Sequence, residues 1–130
     1  MGLLLWLTVV GAMAACGSAD DTARGIAEQF VDAHYVQIDL QASRPLTKGL
    51  AREKVDEEIR LTAGQAIDAS TRVPRINYEL SEERIGGADV VSYAFDATIR
   101  ADGSDPIERT FQVTVRRDED GWKVTNYQEY

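Results

Sequence analysis

The 130-residue chain has a single cysteine, Cys16, and a single histidine, His34. One of each cannot assemble a zinc site, and a lone cysteine can form no internal disulfide. Whatever domain follows Cys16 must therefore be held by its core alone. Basic residues are also short: 14 Lys and Arg stand against 22 Asp and Glu, a formal net charge of -8. Such a balance excludes nucleic acid as a partner and opposes electrostatic docking on anionic lipid. Three prolines and ten glycines leave no room for a collagenous or proline-rich tract. No G-x-G-x-x-G, G-x-x-x-x-G-K or G-x-S-x-G pattern occurs, so neither a nucleotide loop nor a nucleophile elbow is indicated. Asp118-Glu119-Asp120-Gly121 falls short of a calcium loop, because Arg116 stands where an acid is required, and it reads as a turn. No metal and no cofactor is expected.

What is present begins with an uncharged stretch. Residues 1–19 carry no charged side chain, and Leu3 to Ala15 form an apolar run ending in small residues. The run has the length of a signal-peptide core and is short for a bilayer span. It leads into Met13-Ala14-Ala15-Cys16-Gly17, which resembles a bacterial lipobox, with Met13 where Leu is usual and no basic residue before the run. The resemblance implies cleavage before Cys16, acylation of that cysteine and anchoring in a bacterial cell envelope. Gly17 after the cysteine implies sorting to the outer membrane where the cell has one. Two or more acyl chains anchor stably, at roughly 0.8 kcal/mol per buried CH₂. Two plainer readings stand beside it: Cys16 as a small apolar residue in an uncleaved anchor, or Leu3–Ala15 as a buried helix, although that run has no polar face. The expected division is a signal peptide over 1–15, acylated Cys16 with a tether over 16–21, and a domain over 22–130. A tether of about five residues reaches at most roughly 3.5 Å per residue, which keeps the domain near the membrane. Its negative charge holds it off the headgroups.

In the domain, Asp20, Asp21 or Thr22 can cap a first helix that places Ala23, Ile26, Ala27, Phe30, His34 and Ile38 on one stripe. Pro45 is expected to push Arg44 out of helical geometry. A further helix is expected over Leu46–Ile67, with Ala51, Val55, Ile59, Thr62 and Ala66 inward and Arg52–Asp56 and Asp56–Arg60 as ion pairs on a charged face. Leu50 and Leu61 fall on that charged side and are candidate contact residues. From Val73 the period becomes 2. Strands are expected over Arg75–Ile85, Asp89–Ala101, Ile107–Arg117 and Trp122–Tyr130, with Gly121 left-handed in the last turn. Short connections imply an antiparallel meander, apolar on the helix-covered face and polar on the other. The expected fold class is thus α+β, helices on one face of a four-stranded sheet. Its core is Phe30, Val55, Ile59, Tyr93, Phe95, Phe111, Val113 and Trp122.

A helical first half, then long antiparallel strands closing on Asp120-Gly121-Trp122-Lys123-Val124, resembles the nuclear-transport-factor-two-like (cystatin-like) superfamily and its small lipoprotein members. The resemblance implies a cone-shaped pocket between sheet and first helix, in a superfamily that holds both enzymes and members that only bind. The helix stripe turns His34 inward and strand phase turns Tyr78, Tyr93, Arg109 and Asn126 inward, and His34, Tyr78, Tyr93 and Asn126 are the candidate pocket. Every carboxylate in the core stretch of the second strand, Asp96 included, points outward by strand phase, so the base that isomerase-type members use has no evident counterpart. His34 reads first as a core residue hydrogen-bonded to a tyrosine or the backbone. The expectation is a non-catalytic domain binding a small apolar ligand or an envelope protein, as a monomer or weak dimer. The competing expectation is a pocket enzyme of isomerase or dehydratase type using His34 as its base.

Overall fold

The computed structural model describes residues 21–68 and 74–130. The apolar run, Cys16 and all of the tether but Asp21 lie outside them.

Helix α1, Ala23–Val31, starts where Thr22 Oγ1 accepts the Gly25 amide at 2.9 Å. Its buried stripe is Ile26, Ala27, Phe30 and Val31. The chain then widens into a π-helical turn, Asp32–Val36, closed by Gln37 N donating to Asp32 O at 2.8 Å. This turn carries His34 and Tyr35. Ile38 follows with φ of +51°, a left-handed conformation that a β-branched side chain seldom takes. The expected stripe therefore ends at His34.

Helix α2, Leu40–Ser43, runs directly into a 3₁₀ turn, Arg44–Leu46. Arg44 keeps helical angles (φ −54°, ψ −48°) in spite of Pro45, contrary to expectation. The pre-proline clash is a preference, and two local bonds oppose it. Arg44 Nε donates to Asp56 Oδ1 at 2.6 Å, and the Thr47 hydroxyl donates to Arg44 O at 2.6 Å.

Helix α3 spans Leu50–Leu61 and not Leu46–Ile67. Gly49 caps it at φ +59° and ψ −130°, angles that a helix cannot pass through and that favour glycine. At the other end the Thr62 hydroxyl donates to Glu58 O at 2.8 Å. Ala51 and Val55 are buried, Ile59 and Thr62 are half-buried, and Ala66 is exposed. The expected i,i+4 pairs are replaced. Asp56 is taken by Arg44, Arg60 holds Glu57 at 2.5 Å, and Arg52 donates to Thr47 Oγ1 and O. Satisfying an orphan carbonyl outweighs a surface ion pair worth a few tenths of a kcal/mol.

Strands β1 (Arg75–Gly87), β2 (Val90–Arg100), β3 (Ile107–Asp118) and β4 (Gly121–Glu129) form an antiparallel meander in the order β1-β2-β3-β4. Gly121 is left-handed, at φ +88°, as the turn requires. The helices cover one face. The free edge of β4 is met by the α2–α3 segment, where Lys48 N donates to Val124 O at 2.8 Å. The outer face is polar, and Ser92 and Thr114 pair across it at 3.0 Å.

Six of the eight expected core residues are buried; Ile59 and Trp122 pack against the core half-buried. Trp122 instead lies under the Arg117 guanidinium, 5.3 Å from its ring centre. Three irregularities shift the strand register. Two fall in β1, between Leu80 and Glu82 and between Ile85 and Gly87. The other inserts Thr125 into β4, so that Asn126 pairs with Thr114 and Val124 with Val115. Asn126 is thereby shifted off the core face, and Tyr127, 6% exposed, takes the inward position.

Candidate functional site

The bulge at Thr125 and the π turn at 32–36 act on the same place. The π turn presents the consecutive His34 and Tyr35 to Phe30, with ring centres 5.0 and 6.4 Å away. Tyr35 stacks on Phe111 at 3.8 Å and an interplanar angle of 3°. Tyr127 closes the group, 4.9 Å from Phe30 and 4.8 Å from His34. Helix α3 adds a carboxylate. Glu58 Oε2 lies 2.6 Å from His34 Nε2, and Glu58 Oε1 accepts the Tyr127 hydroxyl at 2.5 Å. Three elements distant in sequence are thus tied through one side chain.

The His34 side chain is 8% exposed. Its Nδ1 is buried and has no hydrogen-bond partner among the described residues. Burial works to raise the Glu58 carboxyl. The hydrogen bonds from His34 and Tyr127, with the charges of His34 and Lys54, more than offset it and hold Glu58 below the usual glutamate value. Burial, then the Glu58 bond and charge, push the Tyr127 hydroxyl well above the ordinary tyrosine value. Burial and the charges of Glu129 and Glu58 do the same for Tyr35. Lys54 sits 5.0 Å from the Tyr127 ring centre, its ammonium donating to Asn126 Oδ1 at 2.9 Å and to Tyr127 O at 2.7 Å.

Over this cluster lies an open groove of about 610 Å³ that reaches His34, Tyr35, Glu58 and Tyr127. Beneath it the interior is filled: Phe30, Phe95 and Phe111 are at most 1% exposed. The other expected pocket residues are elsewhere. The Tyr78 hydroxyl donates to Glu28 O at 3.4 Å, its ring lying edge-on to Phe95 at 5.7 Å. Tyr93 is buried beside Phe95 at 6.3 Å. Neither lines the His34 groove. Arg109 is exposed and 3.8 Å from Glu129. Asn126 belongs to the β4 edge, holding Lys54.

Glu58 is the partner of His34 that strand-based reasoning missed. The signal was available, since Glu58 follows Ala51 and Val55 at core spacing on α3, where a carboxylate is out of place. Tyr127 was hidden by the bulge. Leu50 (51% exposed) and Leu61 (63%) are exposed, as expected. No group of three or more His, Cys, Asp or Glu suited to a metal occurs among the described residues, and no described helix is long and apolar enough to cross a membrane.

No protein-family profile matches the chain, and no curated protein matches it. Solved structures do. A Nostoc punctiforme domain of unknown function with a cystatin-like fold superposes with a TM-score of 0.62 at 13% identity, over 86% of this chain and 76% of that one. The VirB8 protein of Agrobacterium tumefaciens gives 0.57 at 16% identity, covering 82% and 88%. A ketosteroid isomerase-like protein from Erwinia carotovora atroseptica gives 0.56 at 15%, covering 86% and 95%. At these identities the likeness establishes the fold, and the fold admits more than one function.

Proposed function

Starting from a domain of the cystatin-like, nuclear-transport-factor-two-like fold, we propose that this protein is a lipid-anchored lipoprotein of the bacterial envelope whose domain binds and does not catalyse. The observation that carries the non-catalytic reading is the state of Glu58. Both its oxygens are engaged, by His34 and by Tyr127, and its carboxyl is held below the usual range. A general base works best with a pKa near the working pH. Glu58 is held below even the usual glutamate value and serves as the acceptor that fixes His34 Nε2 and the Tyr127 hydroxyl. The filled interior supports the same reading, since a substrate enclosed between the sheet and the first helix would have to displace Phe30 or Phe111.

Anchoring is supported by Met13-Ala14-Ala15-Cys16-Gly17. The test is metabolic labelling of the full chain with a fatty-acid analogue. Wild type should take up label and fractionate with membranes, and Cys16→Ala should do neither. Equal labelling of both would refute the anchor.

The second reading, a pocket enzyme of isomerase or dehydratase type using His34, is favoured by one observation: the groove reaches that residue. Turnover of a ketosteroid or hydroxyacyl substrate by wild type, lost in His34→Ala, would establish it.

A further inference from the structure

We propose that two copies of this protein pair edge to edge through the first half of β1, antiparallel and with the two-fold axis at Asn77. The proposal goes beyond the binding reading above and rests on neither the anchor nor the groove over His34.

Strand β1 is an open margin. The meander runs β1-β2-β3-β4, so β1 and β4 are its two edges. The β4 edge is met by Thr47 and by the Lys48 amide. Strand β1 spans 13 residues, and among the described residues its backbone pairs with β2 alone. Sheets guard such an edge with charges, prolines, bulges or a cover. The second half of β1 is guarded, because register shifts flank the charged run Glu82-Glu83-Arg84. The first half, Arg75–Leu80, pairs without a shift and alternates exposed residues with half-buried Ile76, Tyr78 and Leu80.

This unguarded half carries two like-charge pairs. Arg75 lies directly opposite Arg100, and Glu79 directly opposite Asp96. None of the four makes an ion pair among the described residues. Like charges opposed on one face destabilise a sheet. A second copy supplies what the chain itself does not. With the axis at Asn77, Arg75 of each copy faces Glu79 of the other, and Ile76 faces Tyr78. Opposite charges then adjoin both like-charge pairs on the outer face, while the two apolar pairs extend the inner one.

The register follows from the same chemistry. Residues opposite each other in an antiparallel pair share a face, so a two-fold between identical strands must pass through a residue position. An axis at Tyr78 would set Arg75 against Ser81, and one at Glu79 would set that carboxylate against itself. The contact is isologous and closes at two copies. Its seam is about five residues long, which makes the pairing weak. The net charge of -8 on each copy works in the same direction.

The test is disulfide cross-linking of the full chain in an uncharged detergent, with Cys16→Ser removing the native thiol. Asn77→Cys places one thiol on the axis, where two copies bring the backbones within the Cα spacing of about 4.4–6.8 Å that a disulfide spans. Oxidation should give a covalent dimer, while Gln112→Cys, on the outer face within the sheet, should stay monomeric. Adding Arg75→Glu or Glu79→Arg to Asn77→Cys should slow dimer formation about tenfold or more, since each reversal turns both attractive pairs repulsive. Mixed in equal amounts, the two reversed proteins should recover it, because every pair between them is again opposite in charge. Neither reversal should lower the thermal unfolding midpoint, since each replaces a like-charge pair within the sheet by an opposite one. No dimer, indifference to the reversals, or no recovery on mixing would overturn the proposal. Equal cross-linking of Gln112→Cys would overturn it too, by showing that the sheets meet face to face.

Discussion

Tyr127 donates its hydroxyl hydrogen to Glu58 at 2.5 Å across 69 positions of sequence, and the same carboxylate holds His34 at 2.6 Å. This one side chain joins the helical half to the last strand, and its protonation state should be visible in stability.

Glu58→Gln is expected to cost about 1–3 kcal/mol at neutral pH, because two largely buried partners lose a charged acceptor. The folded carboxyl is held below its ordinary value, so its contribution is present above the unfolded value of about 4.3 and fades as pH falls through the folded one. The difference between wild type and variant in urea unfolding should therefore shrink from pH 6 to pH 3. A difference constant over that range would show that Glu58 is not the ionised partner.

The β4 bulge makes a local prediction. Tyr127→Ala should cost about 3–5 kcal/mol, while Asn126→Ala, which removes an edge contact to Lys54, should cost about 1 kcal/mol. The reverse order would mean that strand phase runs unbroken from Trp122.

Phe111 is 1% exposed and stacked on Tyr35. Phe111→Ala should lose about 3–5 kcal/mol, whereas Thr114→Ala on the outer face should lose about 1 kcal/mol or less. Comparable losses in thermal unfolding would contradict the one-sided sheet.

Ile38 stands at φ +51°. Left-handed geometry costs a side chain about 1–2 kcal/mol, which glycine escapes. Ile38→Gly should therefore stay within about 1 kcal/mol of wild type. Ile26→Gly, in the buried stripe of α1, should lose more than about 3 kcal/mol. Denaturant midpoints of the two variants decide the comparison.

Leu50 and Leu61 are exposed on the same side of α3, about three turns apart with charge between them. A scattered pair of this kind does not hold a tight dimer. Sedimentation of the domain without residues 1–16 should show a monomer or a weak dimer that Leu50→Lys weakens further. A tight dimer at micromolar concentration, indifferent to that change, would refute both expectations.

The strands were legible within a residue or two because period-2 alternation and turn residues are local signals. So was the burial of Phe30, Phe95, Phe111 and Val113, which follows from stripe and phase. Helix α3 was overextended at both ends because Gly49 and Gly64, left-handed at φ +59° and +85°, were treated as ordinary helical positions. Its ion pairs were misassigned because sequence spacing cannot show that Thr47 O needs a donor or that Arg44 lies within reach of Asp56.

The sequence by itself determined the element types, the meander, the polar outer face and the exposure of Leu50 and Leu61, since each depends on neighbours a few residues away. Only the tertiary structure decided the site. A π turn at 32–36 and one extra residue at Thr125 leave the hydrophobic pattern intact, yet they choose which side chains face inward. Glu58 then meets His34 and Tyr127 because three distant elements converge, and a contact formed by packing has no period in the chain to betray it.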